Sequence, residues 1–274
     1  MRRALEQVLL YTAVVTVVAV LFFPMYWMFM TSLAPQDQLY IYPPKLVHPN
    51  ATLAAYVKIF RERPIERWLI NSLVVVIFSG LSSLVISVLA GYSLSRYRVR
   101  GSGVLGYLLL SSRMLPPTLL VIPLFVFMSQ LRLMNTLWSV VVANVTFIMP
   151  FATWMLKSYF DSIPRELEEA AYIDGSSRVG ALLRITLPLS APGVAATALY
   201  SAILAWDEYL FARTFLTTNS VWTISVGLGS FRGEYITFWN EVMAASVIGT
   251  VPIIAIFLLL EKYLVSGLTA GAVK

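Results

Sequence analysis

Between Glu6 and Asp37 no side chain carries a charge. About 20 apolar residues suffice for a helix to cross the roughly 30 Å hydrocarbon core of a bilayer. A first spanning helix is therefore placed at residues 8–31. The run is too long for a secretory signal and no small-residue cleavage site closes it, so it is read as retained, with Pro24 kinking it. The pattern recurs at residues 68–95, 104–129, 133–156, 188–206 and 242–260. In lipid only helices and closed barrels satisfy every backbone group, and these runs are apolar, the third being a helix broken by Arg113 and by Pro116, Pro117 and Pro123. The expectation is an all-α membrane protein, a single transmembrane domain over residues 1–274 with six helices. At 58% hydrophobic and 12% charged residues, with a mean hydropathy of +0.77, no soluble domain is in prospect.

Six spans put both termini on one side, and Lys and Arg choose the side. With the N-terminus inside, the inner segments hold 11 basic residues: Arg2, Arg3, Arg96, Arg98, Arg100, Lys157, Arg165, Arg178, Arg184, Lys262 and Lys274. The outer ones hold 8: Lys45, Lys58, Arg61, Arg63, Arg67, Arg132, Arg213 and Arg232. Every loop except the first, proline-rich one follows the positive-inside bias. The net charge of +6 thus reflects topology, and nucleic acid is not an expected partner.

Several chemistries lack their parts. There is no cysteine, which removes thiolate nucleophiles, disulfides and Cys-type zinc sites. His48 is the single histidine, so neither a histidine metal cluster nor a histidine-based triad can be built. No P-loop pattern is present. Gly101-Ser102-Gly103-Val104-Leu105-Gly106 has the glycine spacing of a dinucleotide site, but no strand precedes it. No catalytic residue and no metal ligand is assigned.

Charge and helix formers crowd together only once between apolar runs, from Ile163 to Pro188. Pro164 suits a first helical turn, with Asp161 or Ser162 as its cap and Glu166, Glu168 and Glu169 following where a helix N-terminus favours acids. Leu167, Ala170 and Ala171 share one side, and alanines allow close approach to a partner. Gly175, preceded by Asp174, ends the helix through a left-handed residue. Ser176 or Ser177 then caps a second helix through Arg184. The product is a helix-turn-helix finger on the inner side.

Glu169-Ala170-Ala171, then Asp174-Gly175, then Ile185 and Leu187-Pro188 resemble the EAA loop of ABC-importer permeases, the membrane subunits of binding-protein-dependent uptake systems. With the ending from Gly267 to Lys274, the likeness is to the maltose-type carbohydrate permeases and spans the whole chain. It implies a coupling helix docked in a cytoplasmic ATPase, with Glu169 as the polar contact, Ala170 and Ala171 as the close-packed surface, and Asp174-Gly175 setting the angle. The tail from Gly267 would reach the ATPase dimer. The implied assembly has a second permease, two ATPase subunits and an extracytoplasmic solute-binding protein, in the cytoplasmic membrane of a bacterium or archaeon. ATP and magnesium would bind the ATPases and no cofactor this chain. Carbohydrate is the expected solute; a polyol, a sugar phosphate, a polyamine or an ion-coupled secondary transporter are the alternatives.

Polar residues within a bilayer mark a pathway or a helix contact. Those here are Arg113, Asn144, Trp206, Asp207 and Glu208. Trp206 beside two acids fits a sugar face and its hydroxyls, or an interfacial anchor with snorkelling charges. Arg113 fits a cavity or a structural pair.

Overall fold

The computed structural model describes residues 2–97, 101–231, 233 and 237–272, with side chains except at 2–5, 102 and 264–272. Where no water reaches the backbone a helix is the local solution, and among the described residues there is no strand. In chain order the helices are α1 (Arg2–Leu33), α2 (Ala54–Glu62), α3 (Ile65–Arg96), α4 (Ser102–Ser112), α5 (Pro117–Gln130), α6 (Leu137–Asp161), α7 (Glu166–Ile173), α8 (Arg178–Ala181), α9 (Leu187–Leu189), α10 (Ala191–Asp207), α11 (Leu210–Phe215), α12 (Ile224–Gly229) and α13 (Trp239–Ala272). A π-helical turn over Leu182–Thr186 joins α8 to α9.

Four helical segments are long and apolar enough to cross a membrane alone: Glu6–Leu33, Ile65–Arg96, Leu137–Asp161 and Trp239–Tyr263. Two more spans arise if each bent pair counts as one, Gly103–Ser112 with Pro117–Gln130 at 93° and Arg178–Leu189 with Ala191–Asp207 at 82°. The break expected at Arg113 has a local cause. Pro116 must be extended before Pro117 and sits at ψ 130°, while the amides of Arg113 and Met114 fall back on the carbonyls of Leu110 and Ser111 in tightened turns. Within the second pair α10 starts at Ala191, and α6 runs to Asp161. The last helix passes residue 260 and continues to Ala272. The tail's side chains, with Val273 and Lys274 entire, lie outside the described residues.

The chain forms two compact units. In the unit of Met1–Glu66 and Gly227–Val251, the loop after α1 is pinned by Thr52 N to Leu33 O, Ser32 Oγ to Tyr56 OH at 2.7 Å and Lys58 Nζ to Glu241 Oε1 at 2.6 Å. In the unit of Arg67–Val226 and Pro252–Lys274, α6 is the axis of the core. It supplies Val140 and Val141 to one apolar cluster, Leu156 and Phe160 to a second and Ala143 to a third.

α3 meets α6 at two small residues, Ser87 and Gly91, the end of a longer stripe on α3. Ser79, Ser83, Ser87 and Gly91 recur every fourth position and are buried, a spacing that lets helices close up in lipid. Ser87 Oγ donates to Met149 O at 3.3 Å and accepts from Thr153 Oγ1 at 3.2 Å. A Cβ on Gly91 would lie 3.1 Å from both Lys157 N and Thr153 O, backbone atoms that cannot step aside. Gly91→Leu should therefore lower the unfolding free energy in detergent by about 1–3 kcal/mol. Gly80→Leu is the control, since a Cβ there meets nothing within 4 Å, and should leave it unchanged or higher.

Candidate functional site

The finger forms, with a different start from the one expected. Asp161 and Ser162 close α6 rather than cap α7, whose N-cap is Arg165 without a side-chain bond. The C-terminal side follows the sequence reading: Gly175 has φ +83°, its amide reaches Tyr172 O and that of Ser176 reaches Ala171 O. Ser177 then caps α8, accepting from Gly180 N at 3.1 Å. Beyond Arg184 the second arm continues through the π turn to Leu187 and Pro188, half-buried and exposed respectively.

The finger turns Glu169, Ala170, Asp174 and Gly175 to the surface, with Ala171 half-buried. Ile173 at its tip is 87% exposed and Val179 beyond the turn 64%. Both apolar side chains are open to a partner surface.

The acid that holds the finger is Glu168, which sequence reasoning passed over in favour of its neighbour. It is 3% exposed. Its Oε1 accepts from Arg96 Nε at 2.8 Å and from Thr186 Oγ1 at 2.6 Å. Its Oε2 accepts from Tyr92 OH at 2.8 Å and from Tyr172 OH at 3.3 Å. Two further bonds run between the finger's base and the end of α3: Arg165 Nη2 to Ser95 O at 2.7 Å, and Arg96 Nη2 to Ile163 O at 3.2 Å. Burial pushes the Glu168 carboxyl up, but the hydrogen bonds from Thr186, Arg96 and Tyr92 and the Arg96 charge outweigh it and hold the group below its ordinary value. The signal available in sequence was Arg96 itself, a cation closing an apolar run that requires an acid if it is to be buried.

Of the five intramembrane candidates, four line one cavity of about 450 Å³: Arg113, Asn144, Asp207 and Glu208. Arg113 reaches it because the helix breaks there. Its Nη1 donates to Phe147 O at 2.9 Å, and its guanidinium lies 5.9 Å from the Phe151 ring centre and 5.8 Å from that of Tyr200, within cation–π range. The Asn144 side chain is buried, and its Nδ2 has no hydrogen-bond partner. Asp207 is exposed at the end of α10. Glu208 is largely spent on structure: its two oxygens accept from Phe211 N at 2.6 Å and Ala212 N at 2.8 Å, starting α11. Trp206, 8% exposed, is not among the residues lining this cavity.

A family model described as "Binding-protein-dependent transport system inner membrane component" matches residues 83–269. The chain is 38% identical to the trehalose/maltose transport system permease protein MalG of Thermococcus litoralis over 98% of each chain. It is 36% identical to the sulfoquinovosyl glycerol transport system permease protein SmoH of Agrobacterium fabrum, over 92% of this chain and 88% of that one. In fold it matches a chain of a bacterial ABC transporter involved in import of the acidic polysaccharide alginate, with a TM-score of 0.80 at 21% identity over 95% of this chain and 96% of that one.

The two adjacent acids should behave differently on neutralisation. Glu168→Gln leaves the buried Arg96 without its counter-charge and should cost roughly 3–5 kcal/mol of unfolding free energy, whereas Glu169→Gln should stay within about 0.5 kcal/mol of the parent. Because the Glu168 group titrates lower folded than unfolded, its contribution is complete above the ordinary glutamate range. It is lost only as pH falls through and below that range. Unfolding followed against pH should be flat in this respect near neutrality and lose the difference between parent and Glu168→Gln under acid conditions.

Proposed function

Because the chain belongs to the family of binding-protein-dependent transport system inner membrane components, we propose that it is one permease subunit of an ATP-driven carbohydrate importer. The observation that carries the reading is the finger: an exposed turn at Asp174-Gly175 and an apolar tip, on a base fixed to α3 by a buried carboxylate. The solute class is supported by the relatives named for trehalose/maltose and for sulfoquinovosyl glycerol.

The partners in this reading are a second permease, two ATPase subunits on the cytoplasmic side and a solute-binding protein outside. ATP and magnesium belong to the ATPases. The chain crosses the membrane six times with both termini in the cytoplasm, an orientation supported by its Lys and Arg distribution. Glu169, Ala170 and Ala171 present the docking face, Asp174 and Gly175 the turn, and Leu187-Pro188 the return into the membrane. Movement of a docked ATPase is delivered at the tip and carried through Glu168 to α3. Arg113, Asn144 and Asp207 form the polar wall of the solute path. Trp206, buried near the end of α10, serves as a packing residue, and Glu208 as the cap that starts α11.

Gly175→Leu tests the docking role. A Cβ there meets nothing within 4 Å, so the chain should insert normally. The left-handed backbone of a branched residue costs about 1–2 kcal/mol, which should displace the turn. In the assembled transporter, copurified ATPase or coupled uptake should fall severalfold. Normal levels of both would remove the finger from energy coupling.

A further inference from the structure

A second cavity, of about 630 Å³, lies where the ends of α3 and α6 meet the start of α4. Leu110, Tyr107 and Trp154 give it apolar and aromatic surface, and Lys157, Asp161 and Arg165 bring its charges. All the charged groups can be reached. The Lys157 and Asp161 side chains are 30% and 42% exposed, and Arg165, Tyr107 and Trp154 are exposed as well.

The charges do not cancel. Lys157 Nζ and Asp161 Oδ2 answer one another at 2.5 Å. Arg165 donates to Ser95 O at 2.7 Å, but among the described residues no carboxylate forms an ion pair with it. The wall therefore carries one cation in excess, and the segment between α3 and α4 adds Arg98 and Arg100 in sequence. A cationic occupant is repelled, and a zwitterionic one finds no unpaired acid for its ammonium. A free phosphate would answer Arg165. It would also leave wet most of a space equal to about 21 waters, with its apolar and aromatic surface. An amphiphile with a negative head uses both parts of the wall. Trp and Tyr at the ends of spanning helices sit at headgroup level, and basic pockets between such helices on the cytoplasmic side take anionic headgroups.

We propose that this cavity binds an anionic phospholipid of the inner leaflet, its phosphodiester at Arg165 and Lys157 and its chains along Leu110, Tyr107 and Trp154. The choice of leaflet rests on the topology reading above; the binding itself does not. Because Arg165 is also the N-cap residue of α7, the lipid stands against the base of the finger.

The test uses the full chain purified in a nonionic detergent, with lipid adducts counted by native mass spectrometry. Phosphatidylglycerol should bind about fivefold tighter than phosphatidylcholine with the same chains. Inorganic phosphate at the same concentration should not displace it. Lys157→Gln and Arg165→Gln, checked for helical content by circular dichroism, should each weaken phosphatidylglycerol binding about fivefold, the loss of one cation. Asp161→Asn should strengthen it, a change of opposite sign that a merely structural role would not produce. If Arg165→Gln does not fold, Lys157→Gln and Asp161→Asn decide. Equal binding of the two lipids, displacement by phosphate, or unchanged binding in the folded variants overturns the proposal. So does loss of the adduct in the assembled transporter, which would give the groove to a partner subunit. A reporter fused after Arg178 that reads as external would instead count against the topology reading alone and move the lipid to the outer leaflet.

Discussion

A carboxylate removed from water is tolerable only where its oxygens are filled and its charge is answered. Glu168 meets both conditions by drawing on three stretches of chain at once. Tyr92 and Arg96 come from the end of α3, Tyr172 from its own helix, and Thr186 from the arm that returns beyond Gly175. Both arms of the finger are thereby tied to one spanning helix. The other features of the site follow: with Glu168 inward, helical geometry turns Glu169 and Ala170 outward and leaves Ile173 at an exposed tip.

The same logic of answered polar groups shapes the membrane portion. Prolines at 116 and 117 break a span, and the break places Arg113 against Phe147 O and two aromatic rings instead of against lipid. Glu208 starts α11 with its own oxygens, while Asp207 and Asn144, with the hydroxyls of Thr118 and Tyr209, line the cavity beside Arg113. A helix break, a cap and an arginine anchor together hold open a cavity that an unbroken bundle would close.

Much of this was legible in the sequence. The uncharged runs marked the spans because lipid leaves the backbone no alternative, and Pro116-Pro117 marked the break because the residue before a proline avoids helix. Gly175 and Ser177 announced the turn through their own conformational chemistry. The choice between Glu168 and Glu169 was not legible, since adjacent acids differ only by the 100° rotation that a tertiary contact fixes. The Ser79, Ser83, Ser87, Gly91 stripe was present in the sequence, but its meaning depends on a partner helix. Glu208 read as a membrane acid until its neighbours' amides were placed.

The central claim is that Glu168 fixes the finger's angle to α3. The chain has no cysteine, so spin labels can be introduced singly at the exposed positions Ser93 and Ile173. The distance between them can then be measured by double electron–electron resonance. The account predicts one narrow distance distribution in the parent and a broadened or displaced one in Glu168→Gln, with Glu169→Gln unchanged. A narrow, identical distribution in all three would show that the finger is held by something other than this carboxylate.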